Sequence, residues 1–80
     1  MLPIINMISY VLIRVDPGVE REVLEAILDL DEVEEAEHIY GEWDIVAKIN
    51  IEDLEKLSEF ILLTIRSLKG VRQTSTLIVA

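Results

Sequence analysis

The residues of this chain best suited to binding chemistry stand together in one short stretch, Tyr40-Gly41-Glu42-Trp43-Asp44. It holds the single tryptophan, one of the two tyrosines, and a carboxylate directly before an apolar strand. Gly41 can adopt the positive φ angle that a tight hairpin turn needs. Asp44 could then receive a ligand ammonium group, backbone N–H groups near Gly41 could receive a carboxylate, and Tyr40 and Trp43 could wall an apolar pocket. The alternative is an ordinary turn covered by Trp43.

A second candidate lies near the end of the chain, where the sequence reads Gln73-Thr74-Ser75-Thr76. Hydroxyl and amide groups at adjacent positions can supply polar contacts to a small ligand. Threonine is also a good strand former, so ordinary sheet surface is the alternative interpretation. Neither the turn nor this run is specific alone.

The sequence contains few residue patterns that are suited to catalysis or to metal binding. The chain has one histidine, His38, and no cysteine, which excludes a Cys/His nucleophilic pair and a zinc site with several nitrogen or sulfur ligands. The acidic run over residues 29–37 lacks the spacing of a calcium loop, and the three glycines do not form a phosphate loop. We therefore expect no catalytic residue, no metal and no cofactor, and we interpret His38 as an edge residue of a sheet.

Length and charge limit the partners. Eighty residues make one small domain, yet 51% of them are apolar and the mean hydropathy is +0.38, which favours oligomerisation. The net charge of −9, with scattered basic residues, argues against binding to nucleic acid or to a membrane surface. The sequence contains no transmembrane run and no signal peptide, so we expect a cytoplasmic protein. Residues 1–6 are treated as an N-terminal extension, and residues 7–80 as the domain.

The elements that must position these residues alternate as strand, helix, strand, strand, helix, strand. Periodicity and turn residues predict them at Ile8–Asp16, 19–30, Val33–Tyr40, Asp44–Ile51, Glu52–Leu68 and Val71–Val79. Asn50 is the expected cap of the second helix, and Gly70 its stop. Two interleaved strand-helix-strand halves form an α+β, ferredoxin-like fold, with a four-stranded antiparallel sheet and both helices on one face.

Two helices cover only one face of such a sheet. Alternation along the strands places apolar side chains on the other face, and we expect a dimer that stacks sheet on sheet through them. The expected interface residues are Tyr10, Leu12, Val46 and Ile78.

Three stretches taken in order resemble the C-terminal ligand-sensing (RAM) domain of the Lrp/AsnC transcription regulators. They are the opening Ser9–Gly18, the turn Tyr40–Val46 with its Gly-x-x-Asp pattern, and the Thr-rich end Val71–Val79. The resemblance runs from about residue 7 to residue 80. It implies the ferredoxin-like fold, dimers that assemble into larger rings, often octamers, and amino-acid effectors held between neighbouring dimers.

The resemblance also assigns site residues and partners. The family's turn residues correspond to Tyr40, Gly41, Trp43 and Asp44, and its last-strand contacts to the region Gln73–Thr76. No part of this sequence looks like the family's helix-turn-helix domain, so it resembles a stand-alone sensing domain that modulates transcription without binding DNA itself, alone or with a full-length regulator. On this interpretation Asp44→Ala abolishes ligand binding and leaves the fold intact.

Two other classes remain open at this point. A small dimeric cofactor-free monooxygenase shares the same fold, and it would need His38 to face a closed apolar pocket within one subunit. A purely structural partner of a full-length regulator is the third possibility.

Overall fold

The computed structural model describes residues 6–80, so most of the expected extension 1–6 lies outside the described residues. The elements follow the predicted order. They are β1 (Met7–Val15), α1 (Glu20–Leu28), β2 (Val33–His38), β3 (Ile45–Ile51), α2 (Leu54–Phe60) with a π-helical segment (Ile61–Ile65), and β4 (Val71–Ile78). All strand pairs are antiparallel and the sheet order is β2-β3-β1-β4, which confirms the ferredoxin-like fold.

The core lies between the sheet and the helices, as alternation along the central strands predicts. Val11, Ile13 and Val15 of β1 are buried. Alternate residues of β3 are buried as well, namely Ile45, Ala47 and Ile49. Val23 and Ile27 of α1, and Leu57 of α2, pack against them. Burying these branched side chains supplies most of the stabilisation of a domain this small.

The second helix differs from its prediction in two ways. Its cap is Asp53, whose side chain accepts a hydrogen bond from the Lys56 N–H at 2.9 Å, so the assignment to Asn50 is wrong. Asn50 instead belongs to β3, opposite Ile8. Lys56 also donates to Glu52, and this bond raises the pKa of the lysine ammonium above its ordinary value.

The helix also widens before it ends. The Arg66 N–H donates to the Ile61 carbonyl, five residues back, at 2.8 Å, which is the bond of a π-turn. Ser67 Oγ donates to the carbonyls of Leu63 and Thr64, satisfying acceptors that the helix end leaves open. Ile61 and Ile65 are both buried. Among residues 6–80 no helix is long and apolar enough to cross a membrane.

Within residues 6–80, both helices lie on one face of the sheet and no helix covers the second face. Tyr10 and Leu12 of β1 lie on this open face, and Val46 pairs with Leu12 on the same side. The assignment of Ile78 to this face is wrong. Ile78 pairs with Ser9, whose side chain is buried on the helix side, whereas its neighbour Leu77 pairs with Tyr10 on the open face. The register of β4 decides this, because a shift of one residue reverses every side chain.

Candidate functional site

The stretch from residue 39 to residue 44 joins β2 to β3 at one end of the sheet. The Ile39 N–H donates to the Asp44 carbonyl at 2.9 Å, and residues 40–43 lie inside this bond. Gly41 has φ +122°, and no atom of the described part of the chain lies within 4 Å of the position of a Cβ, so the backbone conformation alone favours glycine there. The Asp44 N–H donates to the Ile13 carbonyl at 2.9 Å and ties the turn to β1.

The Asp44 carboxylate is engaged by the fold itself. Its Oδ2 accepts the Val15 N–H at 2.8 Å in a partly buried position. The bond lies where the register between β1 and β4 shifts, between Arg14 and Val15. The Asp44 N–H bonds to the Ile13 carbonyl, so these backbone groups of β1 face β3, and the β1–β3 pairs end at Ile13 and Ile45. The carboxylate therefore satisfies a backbone donor that lies beyond the end of this ladder. From this contact we expect Asp44→Ala to lower the stability of the fold as well as to affect the site.

Arg14 is a residue that the sequence interpretation did not assign to the site. Its guanidinium carbon lies 4.9 Å from the centre of the Trp43 ring. Its Nε donates to the Glu42 carbonyl at 2.9 Å, and its Nη1 donates to Gln73 Oε1 at 3.1 Å. One side chain thus joins the turn to β4. The only sequence signal was a lone arginine in an otherwise apolar strand, on the face shared with Leu12.

A cleft of about 580 Å³ opens beside the turn on the α1 side, and we call it the turn cleft. Tyr40 and Asp44 line it together with Glu20, Arg21, His38 and Ile39. Tyr40 is fully exposed. His38 is also exposed and lies among charged side chains, not in the closed apolar pocket that the monooxygenase alternative requires.

The hydroxyl run of β4 divides between the two faces of the sheet. Thr74 pairs with Ile13 and Thr76 with Val11, so both lie on the helix side. They border a second cleft of about 270 Å³, the α2–β4 cleft, whose walls include Leu57, Ile61 and Arg66. Gln73 and Ser75 lie on the open face instead, opposite Arg14 and Leu12.

The eight candidate ligand residues therefore do not converge on one pocket within a single chain. Tyr40, which follows β2, and Asp44, which is bonded to β1, border the turn cleft, whereas Thr74 and Thr76 border the α2–β4 cleft on β4. β2 and β4 are the opposite edges of the sheet. Three strand spacings separate them, roughly 14 Å. Trp43 and Gln73 border neither cleft, and both contact Arg14.

Acidic residues do not form a metal site in the part of the chain that the structure describes. No group of three or more potential ligands there is arranged to hold an ion. The acidic run after α1 reaches an exposed edge strand, β2, whose residues Glu35 and Glu37 point to the open face. Charge at such an edge discourages pairing with other strands.

Comparison with known proteins places this geometry in a family. The family model described as the Lrp/AsnC ligand binding domain matches residues 8–80. An HTH-type transcriptional regulator of Pyrococcus furiosus is 36% identical over 73 residues, which are 88% of this chain and 49% of the regulator. The chain thus spans about half the length of the regulators it matches.

Solved structures agree. The crystal structure of FFRP-DM1 has a TM-score of 0.88 at 36% identity and covers 92% of this chain and 99% of that one. A transcriptional regulator from Neisseria meningitidis, solved as a complex with L-Met, has a TM-score of 0.87 at 20% identity over 100% of this chain and 56% of its own, a likeness of fold alone. The resemblance found in the sequence is confirmed: this chain belongs to the Lrp/AsnC ligand binding domain family.

Proposed function

We propose that this domain is a non-enzymatic sensing and oligomerisation module that binds an amino acid and modulates transcription regulation without contacting DNA itself. Membership of a regulatory ligand-binding family supports the general role. The amino-acid effector, the assembly and the absence of DNA contact are the specific parts of the proposal.

The observation that carries it is the separation of the two clefts. A free amino acid is much shorter than the roughly 14 Å between the sheet edges, so it cannot touch Tyr40 and Thr76 of one chain at once. Both groups can contact one ligand only if neighbouring chains bring a turn cleft against an α2–β4 cleft. The site is therefore completed between subunits, and binding and assembly depend on each other.

The open face of the sheet supports the assembly. Tyr10, Leu12, Val46 and Leu77 place apolar surface there, and in a single chain Tyr10 is 37% and Leu77 52% exposed. Stacking this face on a second copy removes that surface from water. A dimer formed in this way leaves both clefts at its outer edges, where further dimers can join into a ring such as an octamer.

The composition of the α2–β4 cleft suits an amino acid with an apolar side chain. Leu57 and Ile61 provide apolar wall, Arg66 offers a cation to an α-carboxylate, and Thr74 and Thr76 offer hydroxyl groups. The complex of the Neisseria meningitidis regulator with L-Met supports this ligand class.

The charge of the chain supports the absence of DNA contact. Sixteen acidic residues oppose seven basic ones, and phosphate binding relies on clustered lysine and arginine. Because the relatives are helix-turn-helix regulators about twice as long as the matching region, we propose full-length regulators as additional partners. The cytoplasm is the expected compartment for such a partner.

Calorimetry and thermal-shift screening against the common amino acids test the proposal. We expect one or more of them, with L-methionine the first to try, to raise the melting temperature and to change the sedimentation coefficient. Tyr40→Ala and Thr76→Val each remove one half of the site. Each is expected to weaken binding about tenfold, the effect of losing about 1.4 kcal/mol of contact.

The matched control is Thr64→Val, the same substitution on the π-helical segment, at a residue that borders neither cleft. It is expected to leave the affinity near that of the wild type. If no amino acid changes stability or assembly at millimolar concentration, the ligand part of the proposal is wrong. If Tyr40→Ala weakens binding and Thr76→Val does not, the site does not join the two clefts.

A further inference from the structure

On the open face, the side chain of Arg14 joins segments that are far apart in the sequence. It contacts Glu42, which is 28 residues away in sequence, and Gln73, which is 59 residues away. It also lies over the ring of Trp43. Through these contacts a single side chain of the central strand β1 spans the distance between the β2–β3 turn and β4.

The chemistry of the contacts requires arginine. The guanidinium is planar and carries donors on different nitrogens, so Nε can serve the Glu42 carbonyl while Nη1 serves Gln73. Its flat face can at the same time lie over the indole. A lysine ammonium on a flexible stem can supply the charge but not this combination.

The turn itself reaches both faces of the sheet. Asp44 borders the turn cleft on the helix side and receives the Val15 N–H. Trp43, one residue earlier, lies against Arg14, which shares the open face with Leu12. A movement of the turn that alters the cleft must therefore alter the contact between Trp43 and Arg14.

We propose that Arg14 is the positioning residue of this site, since it holds the Glu42–Asp44 turn in its binding geometry and couples the turn cleft to the open face. The proposal rests on the proposed function where it concerns affinity for an amino acid. Where it concerns the position of the turn, it stands on the contacts alone. Arg14 touches no ligand, because it lies on the opposite side of the sheet from the turn cleft.

The single tryptophan of the chain makes the position of the turn directly measurable. Arg14→Gln removes the cation from the Trp43 ring and breaks the bridge to β4. We expect a red-shifted Trp43 emission and faster quenching by acrylamide in the ligand-free protein, with an unchanged far-UV circular dichroism spectrum. Affinity for the effector is expected to fall about tenfold.

Arg72→Gln is the matched control, because it removes the same charge from the neighbouring strand. Arg72 is 58% exposed and faces Asp16 at 3.5 Å, away from the turn. Arg14→Lys tests charge against geometry, and it is expected to restore the Trp43 signal only in part. Gln73→Ala removes one arm of the bridge and is expected to change the signal in the same direction as Arg14→Gln, but less.

The outcomes separate this proposal from the proposed function. If Arg14→Gln and Arg72→Gln give the same Trp43 emission and quenching, Arg14 does not position the turn. Full recovery in Arg14→Lys would also overturn the role of the guanidinium. If the wild type binds no amino acid while Arg14→Gln still exposes Trp43, the proposed effector is wrong and the positioning role stands. An unchanged affinity in Arg14→Gln, with Trp43 exposed, overturns the link to binding.

Discussion

Replacing Asp44 by alanine tests whether this carboxylate belongs to the fold as well as to the site. In the structure Asp44 Oδ2 accepts the N–H of Val15 at 2.8 Å, in a partly buried position beside a break in the β1–β4 register. Alanine leaves that N–H without its acceptor. The substitution therefore removes a charge-assisted hydrogen bond. It leaves the N–H of Val15, a residue that is only 3% exposed, without a partner.

The expected loss follows from the type of bond. A hydrogen bond to a charged group contributes about 1.5–3 kcal/mol to stability. Asp44→Asn keeps a side-chain oxygen at the same position and loses only the charge, so its expected cost is about 1 kcal/mol. In a domain of this size, 1 kcal/mol changes the melting temperature by about 4–8 °C. A loss of about 2 kcal/mol in Asp44→Ala therefore lowers it by roughly 8–16 °C.

Urea unfolding followed by circular dichroism measures these differences. With a slope of about 1 kcal/mol per molar urea, the midpoint of Asp44→Ala should fall by roughly 2 M. All variants must be compared at one protein concentration, because assembly adds to apparent stability. Asp31→Ala is the control, since it removes the same group from an exposed turn after α1.

Two results would refute the reasoning. Asp44→Ala with the same midpoint as Asp31→Ala would mean that the Val15 N–H finds another acceptor at no cost. Asp44→Asn as unstable as Asp44→Ala would mean that the carboxylate charge, and not the acceptor geometry, is what matters.

Two further substitutions test the backbone and the open face. Gly70→Ala should destabilise the protein more than Gly41→Ala. Both glycines have a positive φ, +97° at Gly70 and +122° at Gly41, a conformation that costs alanine about 1 kcal/mol or more. Only at Gly70 would the new Cβ also lie 2.8 Å from Val19 Cγ2. Thermal unfolding at matched concentrations checks the order, and equal losses would contradict it. Leu12→Glu should split the proposed dimer into monomers in micromolar sedimentation experiments, since it puts a charge on the open face. Leu28→Glu on α1 should leave the proposed dimer intact.

Much of the fold was predictable because its signals are local. Apolar residues alternate in β1 and β3, so Val11, Ile13, Ile45 and Ile49 lie on the face opposite to the expected interface residues Tyr10, Leu12 and Val46, and all four are buried. Strand boundaries lie within one or two residues of their predictions. The opening stretch Ser9–Gly18, the Gly-x-x-Asp turn and the Thr-rich end together indicate the family, which the comparisons confirm.

The helix cap and the π-helical segment were less predictable because several residues compete for each role. Asn50 and Asp53 are both good caps, and the pairing of Asn50 with Ile8 in the sheet leaves the position to Asp53. The i to i+5 bond between Ile61 and Arg66 has no separate sequence pattern.

The sequence by itself determined the order of the elements, the buried face of the central strands and the residues of the turn, because periodicity and glycine conformation act over a few neighbours. Tertiary structure alone decided what those residues contact. The register of β4 sends Ile78 to the helix side and Leu77 to the open face. Pairing between strands distant in sequence brings the Asp44 carboxylate to the Val15 N–H. It also places Arg14 between Trp43 and Gln73, which it contacts on either side. Such contacts depend on the alignment of separate strands, which local residue preferences do not specify.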